Sequence, residues 1–168
     1  DAINESHELK LSNHYAISKH SMERVAILSS LDVKIARSFN YTGVGQDSKF
    51  LIPKIVSHYK DAQTSITLGD IDVYRDFSDV RDVTDAYLSI LFTNSNEKIF
   101  NVCSNTIHSI ADILSFLNQE FGYEMNVKQS KEFMRSNIVR SVKGDNSRLK
   151  ALGWKKNHSF FNTLKWML

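Results

Sequence analysis

The 168-residue chain contains one cysteine, one proline and six glycines. With Cys103 alone, no internal disulfide can form, which suits a reducing compartment and sets a cytoplasmic expectation. Pro53 and the scattered glycines write no flexible linker into the sequence. No apolar run approaches the roughly 18 residues of a membrane span. No leader pattern opens the chain, so neither membrane nor export is expected. No block of like charge occurs: 21 cationic and 19 acidic side chains leave a net charge of +2. That excludes a basic arm for nucleic acid. The six histidines show no metal-ligand spacing, and no metal is expected. Repeats and low-complexity segments are absent as well. What remains is ordinary globular composition, 42% hydrophobic and 24% charged, with enough chain for a real core.

The most informative stretch runs from Ser12 to Arg24. Ser12 or Asn13 can cap a helix, and the composition that follows carries it from about Asn13 to Leu31. Tyr15 and Lys19, four residues apart, then share one helix face. An ammonium beside a phenol favours the phenolate and lowers a pKa that is otherwise about 10. A tyrosine tuned in this way can take a proton from an alcohol or return one.

Downstream, residues 1–11 having read as a loop, Val33–Phe39 alternates and is β-rich, predicting a strand. It leads into a glycine-containing loop, Asn40–Gln46, at the end of a strand where ligands of open α/β sheets gather. Gly43-Val44-Gly45 is not a dinucleotide loop, because Ser48 stands where the third glycine would be. Leu51, Ile52, Ile55, Val56 and Tyr59 form a helical stripe over 50–59, with Pro53 in its first turn. Ser65–Leu68 reads as a strand, and Gly69–Val73 as a turn that could run into another strand. After residues 74–79 a helix reaches about Phe92, capped by Ser78 or Asp79, with Val83, Ala86, Tyr87, Ile90 and Leu91 facing inward. Ile99–Cys103 reads as a buried strand. Ser109 caps a helix with Ile110, Ile113, Leu114 and Leu117 inward, which Gly122 stops. Met125–Lys128 predicts a strand, and 146–152 and 158–168 predict helices. Trp154 and Trp166 are read as core. Alternating strands and helices imply an α/β domain with a largely parallel sheet.

Five segments in order resemble the extended short-chain dehydrogenase/reductase family, in its NAD(P)-dependent nucleotide-sugar epimerase, dehydratase and reductase branch. Tyr15-Ala-Ile-Ser-Lys19 matches Y-x-x-x-K. The segment from Arg37 through Asn40 and Gly43 to Gly45 resembles R-x-x-N-x-x-G-P-G. Arg75-Asp76-Phe77 through Asp82-Val83 is close to R-D-F-x-x-V-x-D-V. Phe100–Ser104 resembles Y-N-V-C-S, and Gly144–Leu149 with Leu152-Gly153-Trp154 resembles G-D-x-S-K-L and L-G-W. The detail is nearest to GDP-mannose 4,6-dehydratases and GDP-4-keto-6-deoxymannose reductases.

The resemblance implies the C-terminal part of a Rossmann-like parallel sheet plus the small α/β substrate-binding domain. Residues 1–48 would belong to the Rossmann-like part. Residues 49–168 would form mainly the substrate-binding domain, with some segments returning to the sheet. It also implies roles. Tyr15 would be the acid/base, and Lys19 would support it and hold the nicotinamide ribose. Phe39 and Asn40 would approach the cofactor, and Asn40 also the sugar. Arg75 and Arg135 would grip the diphosphate, an arrangement suited to planar guanidinium groups. Lys54 would reach phosphate. Asn137 stands where the family has the acid that meets the nucleotide ribose, and Ser136 where it has proline. Asp82 would be structural, positioning the arginine loop.

The glycine-rich phosphate loop and the catalytic serine or threonine of such enzymes lie upstream of anything in these 168 residues. The expectation is therefore half of an enzyme acting on a nucleotide-diphosphate sugar, GDP-linked by preference, with NAD or NADP in the intact protein. This stretch by itself is expected to bind no cofactor and to associate as a homodimer or higher oligomer. The alternative is a non-catalytic nucleotide-sugar-binding or assembly domain.

Overall fold

The computed structural model describes residues 2–133 and 139–168. The first helix, α1, spans His14–Leu28, and the Asn13 side chain caps it by accepting from the Ala16 N–H at 2.8 Å. It ends one turn earlier than Leu31, because Ser29 turns back onto the Ala26 carbonyl through both its N–H and its hydroxyl. Then come β1 (Ile35–Ser38) and β2 (Asn40–Thr42). The expected loop at Asn40–Thr42 is thus a second strand. Its residues have no strand alternation of their own, and pairing with a neighbour decides their state.

The chain continues through α2 (Leu51–Lys60), β3 (Ser65–Leu68), β4 (Tyr74–Asp79) and α3 (Val80–Leu91). It proceeds to β5 (Ile99–Val102), β6 (Ile107–Ser109), α4 (Ile110–Phe121) and β7 (Asn126–Gln129). A 3-10 turn at Lys131–Phe133, β8 (Ser141–Val142), α5 (Ser147–Ala151) and α6 (Phe160–Met167) complete it. Ser109 and Asp112 form a reciprocal capping box at α4, and Gly122 closes that helix in the left-handed region at φ 72°. Strands β6 and β8 have only three and two residues. No alternation can announce them, and they exist because β4 offers edges for pairing.

Among the described residues the strands form three groups. β1 pairs with β5 in parallel, and β3 with β7 in parallel. β4 pairs in parallel with β2 and β8 and antiparallel with β6. The sheet is therefore largely parallel, as expected. β1 and β2 are nearly one continuous strand that changes partner at Phe39: Ser38 lies opposite Val102 of β5, whereas Asn40 lies opposite Phe77 of β4.

Two apolar clusters hold these layers. One joins α2, α4, α6 and β3 around Ile55, Ile113, Leu117 and Leu164. The other packs α3 against β5 and α5 through Val83, Ala86, Phe100 and Leu149. On α3 the buried stripe is narrower than expected. Val83, Ala86 and Ile90 are buried, whereas Tyr87 and Leu91 are exposed. Trp154 is core and donates its indole N–H to the Asp82 carbonyl. Trp166 is instead 42% exposed, because the Arg81 guanidinium lies 3.8 Å from its ring centre. The opening residues are also more than a loop: Ile3 bridges Gly144 and exchanges backbone bonds with Lys143 and Asp145.

His108 on β6 stacks on Phe160 at 5.2 Å and meets Phe161 edge-on at 4.8 Å. Burial lowers its pKa from the ordinary 6.5, and the nearby Asp112 opposes the shift only in part. The folded chain thus binds this proton less readily than the unfolded chain. The stabilising effect is complete above 6.5 and fades as pH falls below it. Denaturation midpoints measured between pH 7.5 and 5 are expected to fall, and His108→Leu should flatten that slope. An unchanged slope would show that other groups govern acid stability.

Candidate active site

Tyr15 is 71% exposed on α1, and the Lys19 ammonium lies 5.7 Å from the centre of its ring. The i, i+4 placement read from the sequence is therefore realised, with both groups open to a ligand. Phe39 and Asn40 occupy the position where the strand changes partner. Phe39 donates its N–H to the Val102 carbonyl at 2.9 Å, and Asn40 begins β2 with an exposed side chain. Such a crossover, at the carboxyl end of a parallel strand, leaves a crevice between diverging neighbours.

Arg75 lies on β4 opposite His108 on one side and Val142 on the other. Its Nη1 donates to the Tyr74 carbonyl at 2.7 Å and to the Arg140 carbonyl at 3.2 Å. Neither neighbouring acid on its strand takes it. Asp76 turns inward and Asp79 bonds Arg81 and Thr163. Asp76 is fully buried and accepts from the Ser104 N–H and hydroxyl at 2.7 Å each and from the Gly144 N–H at 3.3 Å. Burial raises its pKa against those hydrogen bonds.

These bonds hold the arginine strand to two loops, which is the task the sequence reading gave to Asp82. Asp82 does something else. Its carboxylate accepts from the backbone of Asn157 and His158 and pairs with His158 Nδ1 at 2.7 Å, fastening the segment before α6 to α3. Sequence spacing had no means of separating these two acids, because both alternate with charged neighbours in one motif. Asp79 is buried, which pushes its pKa up, but the Arg81 and Thr163 hydrogen bonds outweigh that and hold it low. Cys103 is buried beside Asp76, and burial pushes its thiol to about 12, so it is not poised as a nucleophile.

Lys54 is already engaged. Its ammonium donates to the Thr67 carbonyl at 2.8 Å and sits 4.9 Å from the centre of the Phe133 ring. Arg135 and Asn137 lie outside the described residues. Among the described residues no hydrogen bond or ring contact joins the Tyr15–Lys19 pair to Asn40 or Arg75. No group of three or more His, Cys, Asp or Glu among them could hold a metal ion.

A family model described as GDP-mannose 4,6 dehydratase matches residues 1–167. The chain belongs to that family. GDP-6-deoxy-D-talose 4-dehydrogenase of Aggregatibacter actinomycetemcomitans is 32% identical over 149 residues, covering 88% of this chain and 51% of the relative. GDP-6-deoxy-D-mannose reductase of Pseudomonas aeruginosa is 33% identical over 166 residues, 93% of this chain and 55% of the relative. The solved structure of RMD from that organism, complexed with NADPH, superposes with a TM-score of 0.79 at 32% identity. It covers 92% of this chain and 53% of that one. A candidate epimerase of Burkholderia cenocepacia J2315 superposes with a TM-score of 0.92 at 41% identity, over 99% of this chain and 56% of that one.

The chain thus spans about half the length of the curated relatives it matches. The sequence reading of family and α/β fold agrees with these matches. No helix among the described residues is long and apolar enough to cross a membrane.

Proposed function

We propose that this chain is the substrate-side half of an enzyme that moves hydride between a nicotinamide cofactor and a nucleotide-linked hexose, as a GDP-sugar dehydratase, reductase or epimerase. The observation that carries the reading is the exposed Tyr15 phenol with the Lys19 ammonium beside its ring on one helix face. Tyr15 would exchange a proton with a sugar hydroxyl or carbonyl, and Lys19 would support it and hold the nicotinamide ribose. Phe39 and Asn40 would meet the nicotinamide end and the sugar from the partner-switching point. Arg75 and Arg135 would take the diphosphate, with Asn137 near the nucleotide ribose. Open exposure of the Tyr15–Lys19 face fits a cofactor lying against it, and NAD or NADP would supply the hydride when bound. The two GDP-sugar relatives, one named a 4-dehydrogenase and one a reductase, favour a GDP-hexose.

Residues 1–48, with α3, β5 and α5 returning to them, would form the Rossmann-like side, and the remainder of 49–168 the substrate-binding domain. The two separate apolar clusters support that division. Assaying the full polypeptide with GDP-linked hexoses, while following NADH and NADPH absorbance, tests the function. Turnover of a GDP-sugar bears it out. Binding of a GDP-sugar without turnover by an intact, folded polypeptide favours the non-catalytic alternative.

The isolated 168-residue chain is expected to self-associate, as a homodimer or larger. Ile17, Met22, Val25 and Leu28 on α1 and Leu88, Leu91 and Phe92 at α3 all stand exposed, an apolar surface large for a monomer. It is also expected not to bind NADH, because no described helix start offers the glycine-rich pyrophosphate site of this fold. Sedimentation over a concentration series and a fluorescence titration with NADH check both. A monomer at high concentration, or clear NADH binding, would refute this expectation.

A further inference from the structure

We propose that Glu23 and Arg37 are a positioning pair that fixes the rotation of α1 over the sheet and thereby aims Tyr15 and Lys19. The inference rests on the reading of those two residues as the proton-transfer unit.

Packing within this chain does not by itself lock the rotation of α1. None of its residues is fully buried: Ala16, His20, Glu23, Ala26 and Ile27 are half-buried along one stripe, while Ile17, Met22, Val25 and Leu28 are exposed. One side-chain connection does. Arg37 on β1 meets Glu23 with its guanidinium fork: Nε lies 3.0 Å from Oε1, and Nη2 lies 2.7 Å from Oε2. A two-point planar contact fixes angle as well as distance. Among the described residues this is the only side-chain hydrogen bond from α1 to anything beyond its own capping residues, Asn13 and Ser29. Both partners are largely shielded, with 19% and 15% of their side chains exposed, so water screens the pair weakly.

The anchor is itself held. Arg37 Nη1 donates to the Glu5 carbonyl at 3.1 Å. The Glu5 carboxylate accepts from the N–H of Asn101, the residue opposite Arg37 on β5. The buried Asn101 amide in turn donates to the carbonyls of Ile3 and Asp145. Sequence spacing completes the argument. Tyr15, Lys19 and Glu23 follow at i, i+4 and i+8, one stripe along the helix, with Glu23 about 12 Å along the axis from Tyr15. A turn of the helix about its axis would therefore swing all three together. A catalytic group tolerates errors of only about 0.5 Å and 10–20°. Neither Glu23 nor Arg37 is placed to touch substrate, and their effect would pass through the helix.

The test uses the full polypeptide carrying Glu23→Gln, Arg37→Met, Arg37→Lys and the Glu23→Gln/Arg37→Met double substitution. Glu23→Gln and Arg37→Met are each expected to lower kcat at least tenfold while KM for the nucleotide sugar stays within about twofold. Arg37→Lys, which keeps the charge but loses the fork, should recover part of the loss. The double variant should be no slower than the worse single variant, because either change already breaks the pair. Hydrogen exchange should quicken across residues 14–28 in Glu23→Gln but stay unchanged in α2 and α4.

A kcat within twofold of wild type, multiplied losses in the double variant, or unchanged exchange in α1 would overturn the proposal. Failure of the functional reading shows separately, as a wild-type polypeptide that turns over no GDP-sugar or a Tyr15→Phe variant that keeps full turnover. Either result overturns the pair as a device for catalysis, while the exchange rates alone would then say whether it clamps the helix.

Discussion

Tyr15→Phe in the full polypeptide is expected to lower turnover of the nucleotide sugar by about 10²–10⁴-fold, the usual cost of losing a general acid/base. Nucleotide-sugar affinity should barely change, because in the proposed reading the phenol only transfers a proton and the diphosphate is met by Arg75, on β4. The physical ground is the geometry of α1. The Lys19 ammonium sits 5.7 Å from the centre of the Tyr15 ring on an open face, which leaves the phenol accessible to a substrate oxygen. Phe keeps the ring, and with it the contact to Lys19, and deletes only the hydroxyl. Steady-state kinetics and calorimetry together decide the matter. A variant turning over within a factor of two of wild type would remove Tyr15 from the mechanism. A variant that loses affinity in step with rate would make it a binding residue.

Arg75→Ala is expected to weaken binding of GDP or UDP by roughly ten- to a hundredfold, and Lys54→Ala by clearly less. Hydrogen bonds to charged groups are worth about 1.5–3 kcal/mol each, and a guanidinium can make two to a diphosphate. Both groups already hold partners, Arg75 the carbonyls of Tyr74 and Arg140 and Lys54 the Thr67 carbonyl and the Phe133 ring, so the ranking rests on the planar fork of the guanidinium and on the strand that carries it. Arg75 stands on a strand paired on both edges, and the buried Asp76 beside it ties that strand to Ser104 and Gly144. Its base is therefore rigid. Calorimetry on both variants of the full polypeptide checks the order. Equal losses would refute it, and a larger loss in Lys54→Ala would mean that the clasp opens to bind ligand.

Much of the local structure was legible because its causes are local. The Asn13 cap, the Ser109 cap, the Gly122 stop and the stripes of α2 and α4 all act within one or two helical turns. They fall where side-chain chemistry and helical period put them. The misses share a different cause. Asn40–Thr42, Ile107–Ser109 and Ser141–Val142 are strands because β4 is there to pair with them. Tyr87 and Leu91 carry the right period for burial, yet the structure buries Asp82, Val83, Ala86 and Ile90 of α3 and leaves both of them exposed. Trp166 was assigned to the core by its chemistry alone, but Arg81 offered it a stacked cation at the surface.

The candidate site divides along the same line. By itself the sequence determined the chemistry: a tyrosine and a lysine one helical turn apart, an asparagine at a strand end, an arginine in an acidic motif, and the family they resemble. Those follow from residue identity and short spacing, which survive in any conformation with the right local structure. Only the tertiary structure decided which acid does which task. It gave Asp76 the loops beside Arg75 and Asp82 the segment before α6. It also withdrew Lys54 into a clasp and tied α1 to the sheet through Arg37 and Glu23, 14 residues apart. Such pairings depend on which distant backbone segments the cores bring within 3 Å, and a linear spacing carries no information about that.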